Sequence, residues 1–127
     1  MPAPRILSVG QCGFDHGSIS RFLSSTFQAD VLAADTHAHA LDALRRGPID
    51  LVLVNRVADA DGSEGIELIR AMQSDPKLAS VPIILVSNLP DAQDEAVAAG
   101  AVPGFGKSDL SGSTARERIE AALGTAG

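Results

Sequence analysis

The sequence predicts an α/β protein, a doubly wound parallel sheet of five strands with helices on both faces. Three observations carry this. Short apolar runs alternate with helical patterns along the whole chain. The intervals between runs are too long for hairpins, so consecutive strands are parallel and joined by crossovers. The third and fourth runs are apolar on both alternating faces, as strands covered by helices on either side must be.

In order, the first strand is Ile6 to Val9. Ile19, Phe22, Leu23 and Phe27 follow at i, i+3, i+4 and i+8, one apolar stripe on a helix. Val31 to Ala34 is the second strand, and Leu41 with Leu44 marks the second helix. The third strand is Leu51 to Val54, and Ile66, Ile69 and Met72 mark the helix after it. Ile83 to Val86 is the fourth strand. The fourth helix, about Ala92 to Ala99, is Ala-rich and stops at Gly100, a good C-terminal cap. A weak fifth strand lies near Phe105, and Ala115, Ile119, Ala122 and Leu123 give the last helix. Five strands in this length fit the flavodoxin-like order 2-1-3-4-5, a three-layer α/β/α arrangement. Sites in such sheets lie beyond the carboxyl ends of the strands, which here are Gly10 and Gln11, Asn55, Ser87 and Lys107.

Composition excludes several classes. The 127 residues suit one domain with a real core. At 45% hydrophobic and 20% charged, the chain is not disordered. A net charge of −6 argues against nucleic acid and anionic membranes, because no basic stripe exists to neutralise phosphates. The lone Cys12 excludes a disulfide framework and fits a reducing cytoplasm. No apolar run is long enough to span a bilayer, and the first residues lack the design of a signal peptide. Abundant Ala, and Arg in preference to Lys, accords with a GC-rich bacterial genome.

The strand ends carry a resemblance. Asp50-Leu-Val-Leu-Val-Asn55 is followed by Gly65-Ile-Glu-Leu-Ile-Arg70, then Val81-Pro-Ile-Ile-Leu-Val-Ser87, Ala99-Gly-Ala101 and Lys107. In this order and spacing they resemble the receiver domain of bacterial response regulators (CheY-like) from about Arg5 to Leu123, and the expected strand order rests partly on that likeness. The resemblance implies an Asp at the end of the third strand that accepts a phosphoryl group, and an acidic pair ending the first strand that binds Mg²⁺. It also implies a Ser or Thr and a Lys that hold the phosphoryl oxygens. The chemistry needs each of these types. A carboxylate is the nucleophile, Mg²⁺ wants hard anionic oxygens, and cations offset charge on the transferring group.

Ser87 and Lys107 match; the rest departs. Asn55 stands at the acceptor position with a neutral amide, and Gly10 and Gln11 stand at the acidic pair. Gly104 replaces the aromatic switch residue. Ser108 follows Lys107 where a Pro is usual, so the customary cis peptide bond is not expected. The loop Arg56 to Glu64 is about two residues longer than usual for such a domain. The chain therefore resembles a degenerate pseudo-receiver. Without the carboxylates Lys107 becomes a lone cation, and an unpaired buried charge is costly. Lys107 is expected to donate to the Asn55 side-chain oxygen or to pair with Asp59 or Asp61.

Other residues have weaker claims. Gly10 to Gly17 places glycines after the first strand, where dinucleotide enzymes put a phosphate loop. Its GxxGxxxG spacing is not theirs; the plainer reading is a lengthened loop with Asp15 or Ser18 capping the helix. Asp15, Asp59 and Asp61 have no spacing that fixes a metal site. His37 and His39, two apart, fall on different helix faces and suit the surface. Cys12 suits a small, partly buried filler better than a reactive thiol.

The reading is one domain over residues 1–127, core about 5–123, with no output domain: not an enzyme, and without cofactor or metal. It is a receiver-like signalling module of two-component (phosphorelay) type that works through protein contacts without phosphorylation. By resemblance its partner is a histidine kinase or a downstream effector. A second copy could pair through the fourth helix, fifth strand and fifth helix, which carry Asp91, Gln93, Asp94, Gly104, Arg116 and Glu120. The alternative is an anion or small-molecule binding domain using the Gly10–Gly17 loop and Lys107. A third reading makes Asp59 a phosphoacceptor, against which stands the missing acidic pair.

Overall fold

Strand and helix alternate from end to end in the computed structural model, which describes residues 3–110 and 112–126. The elements are β1 (Arg5–Val9), α1 (Gly13–Phe27), β2 (Asp30–Ala34), α2 (His37–Arg46) and β3 (Leu51–Asn55). Then come α3 (Gly65–Ser74), β4 (Ile83–Val86), α4 (Pro90–Ala99), a 3₁₀ turn at Lys107–Asp109, and α5 (Ser113–Ala126). The strands are all parallel in the order β2-β1-β3-β4.

Period-two geometry sends successive side chains to opposite faces, and both faces are apolar. Leu7, Val9, Val52, Val54, Ile83 and Leu85 face the helices α2, α3 and α4, meeting Leu44, Leu68, Ile69 and Met72. Ile6, Leu51, Leu53, Ile84 and Val86 face the other way, onto Ile19 and Leu23 of α1 and Ala115 and Ile119 of α5. All six β-strand residues of the first set and all five of the second are at most 3% exposed. The expected three layers are present.

The expected fifth strand is reduced to one bridge. Phe105 pairs with Val86, the Ser87 N–H donates to the Phe105 carbonyl at 3.0 Å, and the Val102 N–H donates to the Ile83 carbonyl at 3.0 Å. Between these contacts lie Pro103, which has no N–H to donate, and Gly104, which weakens extended structure. The Gln93 carboxamide enters from α4 and donates to the Leu85 carbonyl at 2.7 Å. A side chain thus occupies an acceptor that a regular ladder would use.

Two helix starts also differ. α4 begins at Pro90, not near Ala92, because proline's fixed φ suits the first helical turn. α1 begins at Gly13, so Gly10 to Gly17 is mostly helix and not a loop; its cap is Cys12, whose Sγ accepts from the Asp15 N–H at 3.4 Å. Asp15 and Ser18 do not cap it; the Ser18 hydroxyl donates to the Phe14 carbonyl at 3.3 Å. His39 is exposed and His37 half-buried in the first turn of α2. No described helix is long and apolar enough to cross a membrane.

Candidate functional site

The registers Val9–Val54 and Asn55–Val86 bring Gly10, Asn55 and Ser87 to one sheet edge. A cleft of about 410 Å³ opens there, lined by Asn55, Arg56, Val57, Ser87, Asn88 and Lys107 among others, with no carboxylate in its wall.

Gly10 sits at φ +75°, a left-handed conformation that favours glycine. Its N–H donates to the Ala34 carbonyl at 2.8 Å, and its own carbonyl accepts from the Asp59 N–H at 2.9 Å. The loop between β3 and α3 is folded onto this point. Inside the loop, the Ala58 N–H donates to the Ser63 carbonyl and the Gly62 N–H to the Ala58 carbonyl, both at 2.8 Å. Val57 bridges Glu64 at the loop's neck. Ala58 is 2% exposed and lies where a side chain at position 10 would go. Gln11 is also buried; its Nε2 turns back to the Val9 carbonyl at 3.5 Å, and its Oε1 has no partner among the described residues.

The Asn55 amide works as a double donor. Its Nδ2 gives one hydrogen bond to the Gly10 carbonyl at 3.1 Å and another to the Val57 carbonyl at 2.7 Å. The side chain therefore ties the end of β3 to the end of β1 and to the loop that follows.

Lys107 is positioned from the other side. Asn88, two residues past β4, accepts from the Ser108 N–H at 3.3 Å and from its hydroxyl at 2.9 Å. A proline at 108 would forfeit the first of these bonds, a local reason for Ser there. Ser87 serves the same turn: its hydroxyl accepts from the Leu89 N–H at 3.1 Å. The lysine Nζ meets Asp15 Oδ2 at 2.6 Å. Among the described residues none of the three expected partners is used: Lys107 bonds neither the Asn55 oxygen nor Asp59, and Asp61 accepts from the Ser63 N–H at 3.0 Å in its own loop. That backbone bond is the main cause holding the Asp61 carboxyl below its ordinary value. Asp15 is likewise held below its ordinary value, chiefly by its hydrogen bond to Lys107 and against the effect of burial. Asp15 stands in the first turn of α1, which brings it to the sheet edge beside Lys107.

Sequence reasoning passed over Ala58 and Asn88, which shape the edge, and gave other roles to Gln93 and Asp15. The pairing of Asp15 with Lys107 spans 92 positions and has no local signal. Gln93, expected on the outer face of α4, is turned inward, where it also donates to the Ser87 carbonyl at 3.1 Å. A side chain at Gly104 would meet the Leu85 carbonyl at 2.6 Å and Gln93 Oε1 at 2.8 Å. Of the other residues on that face, Asp91, Asp94, Arg116 and Glu120 are exposed. No cis peptide bond occurs among the described residues, in keeping with Ser108. Nor, among them, does any group of three His, Cys, Asp or Glu side chains stand together as metal ligands could.

No protein-family model matches the sequence, and no curated protein matches it. Solved structures do. A sensor protein from Polaromonas sp. JS666 superposes with a TM-score of 0.85 at 20% identity, over 99% of this chain and 100% of that one. The chemotaxis response regulator CheY4 of Vibrio cholerae superposes with a TM-score of 0.75 at 16% identity, over 95% and 99%. The signal receiver domain of a DNA-binding response regulator from Colwellia psychrerythraea 34H gives 0.75 at 24% identity, over 92% and 98%. The fold is therefore the CheY-like, flavodoxin-like fold of response-regulator receiver domains.

Proposed function

We propose that this chain is a receiver-like module of two-component signalling that acts through protein contacts and is not itself phosphorylated. One observation carries the reading. Where an acidic side chain would reach Mg²⁺ from the end of β1, Ala58 is packed against Gly10 and the space is filled. The donor set does not suit the ion: Mg²⁺ is bound through carboxylates with near-ideal octahedral geometry, while the residues lining the cleft carry none and the neighbouring Asp15 carboxylate is held by Lys107. Asn55 supports the same reading, since an amide that spends both N–H groups on backbone carbonyls is a structural tie and not a nucleophile. Lys107 is paired with Asp15, a contact that an incoming phosphoryl group would have to displace.

On this reading the domain keeps the shape of a switch and works as a recognition surface, binding a kinase, an effector or a second copy. The test is to incubate the protein with acetyl phosphate and Mg²⁺ and record its intact mass. The expected result is no phosphoryl adduct; an adduct forming at a useful rate overturns the proposal.

A further inference from the structure

A second cleft lies beside the first, between α3 and α4, with a volume of about 390 Å³. Its apolar lining comes from Ile66, Leu85, Leu89 and Ala92. Leu89 is 51% exposed, a large apolar side chain left in water at the cleft's mouth. Three carboxylates, Glu64, Asp91 and Glu95, stand around it, opposed among the lining residues by Arg56 alone. None of the three takes part in an ion pair or a side-chain hydrogen bond among the described residues. A smaller cleft sharing Ile66 and Glu95 continues the groove along the α3–α4 seam and adds one cation, Arg70, so three carboxylates face two guanidinium groups over the whole groove.

We infer that this groove docks a basic amphipathic helical segment of a protein partner, with an apolar anchor against Leu89 and Ala92 and Lys or Arg against Glu64, Asp91 and Glu95. The inference rests on the reading of the chain as a contact module and adds where, and to what chemistry, it binds. Anchor side chains in desolvated pockets dominate interface energetics, and helix-in-groove recognition reads an apolar stripe. Charge selects the occupant. Carboxylates outnumber guanidinium groups around the groove, and the whole chain carries −6, so a second copy meets net repulsion. A cationic segment gains from the same field.

The experiment uses two labelled amphipathic helical peptides with identical Leu stripes, one with Lys on the polar face and one with Glu. Binding is followed by fluorescence anisotropy and by amide chemical shifts of the full chain. The Lys peptide is expected to bind at least ten-fold tighter than the Glu peptide, with shifts centred on Ile66, Leu89 and Ala92. The double variant Asp91→Lys/Glu95→Lys should weaken the Lys peptide at least ten-fold, and Leu89→Ser, at an exposed position, should weaken it by a similar factor. Glu120→Lys, on α5, should change it less than two-fold. Equal affinity for the two peptides, shifts centred on α5, no binding of the Lys peptide, or a dimer abolished by Asp91→Lys/Glu95→Lys each overturns the inference. The phosphodonor experiment is independent, so a failed groove leaves the phosphorylation-independent reading standing, and an adduct removes that reading while leaving the groove measurable.

Discussion

A β-carbon placed on Gly10 would stand 3.0 Å from the Cα and 3.1 Å from the Cβ of Ala58. The end of β1 and the loop after β3 are thus in backbone contact, and that contact requires glycine twice, for its missing side chain and for its φ of +75°. Gly10→Asp should therefore destabilise the fold by about 2–4 kcal/mol, the joint effect of a left-handed non-glycine residue and overpacking. Urea denaturation checks this through a lowered midpoint. A Gly10→Asp protein as stable as the parent would show that the loop moves aside readily.

Asn55→Asp is isosteric but exchanges a double donor for an acceptor. The ionised carboxylate would face the Gly10 and Val57 carbonyls, to which the amide now donates. Stability should fall by about 1–3 kcal/mol at neutral pH. The protonated acid can still donate one hydrogen bond, so the native pKa of the new carboxyl lies above its unfolded value. The deficit relative to the parent is then full above the native pKa and shrinks as pH falls through it. Parallel denaturation at pH 7 and pH 4 measures it; a deficit that grows on acidification contradicts the donor role of Asn55.

The Asp15–Lys107 pair responds in the opposite sense. Its side chains are 26% and 33% exposed, so the pair is worth about 1 kcal/mol at most. The native state holds Asp15 below its ordinary value of 3.8. Its contribution is therefore fully present above the unfolded value and is lost as pH falls through the lower native value. Asp15→Asn should cost no more than about 1 kcal/mol at neutral pH and nothing once the parent's carboxyl is protonated. Lys107→Met should remove the same increment, and the double variant should show coupling of that size. Additive effects at pH 7 would deny the pair.

What the chain discloses without a structure follows from what its signals depend on. β3 and β4 were legible because continuous apolar runs bounded by Asp50, Asn55, Pro82 and Ser87 have few other solutions. α1 was legible through Ile19 and Leu23, its two fully buried positions. Its starting residue was not, since a cysteine cap is outside the usual Ser, Thr, Asp and Asn signal. The Pro90 start of α4 was available in the sequence, as proline at the first turn is a standard signal. The ends of β3 and β4 follow from topology, which is why Asn55 and Ser87 line one cleft, with Lys107 beside them. Contacts between side chains at that edge depend on loop paths, and no periodicity encodes them: Ala58 over Gly10 and Asp15 against Lys107 belong to this class.

The edge beyond β4 supplies the last test. Gln93 Nε2 reaches the carbonyls of Leu85 and Ser87 at 2.7 and 3.1 Å, and Gly104 leaves the room that its Oε1 occupies. Gln93→Ala strands those carbonyls and should cost about 1–2 kcal/mol, with faster amide exchange over residues 101–106. Gly104→Ala should cost about 2 kcal/mol, because its β-carbon meets both the Gln93 oxygen and the Leu85 carbonyl. Combining the two removes the first clash and keeps the second, so the double variant should be less destabilised than the two single effects added together, by about 1 kcal/mol. Additive losses, or unchanged exchange over 101–106 in Gln93→Ala, would show that α4 is held to the sheet by its apolar contacts alone.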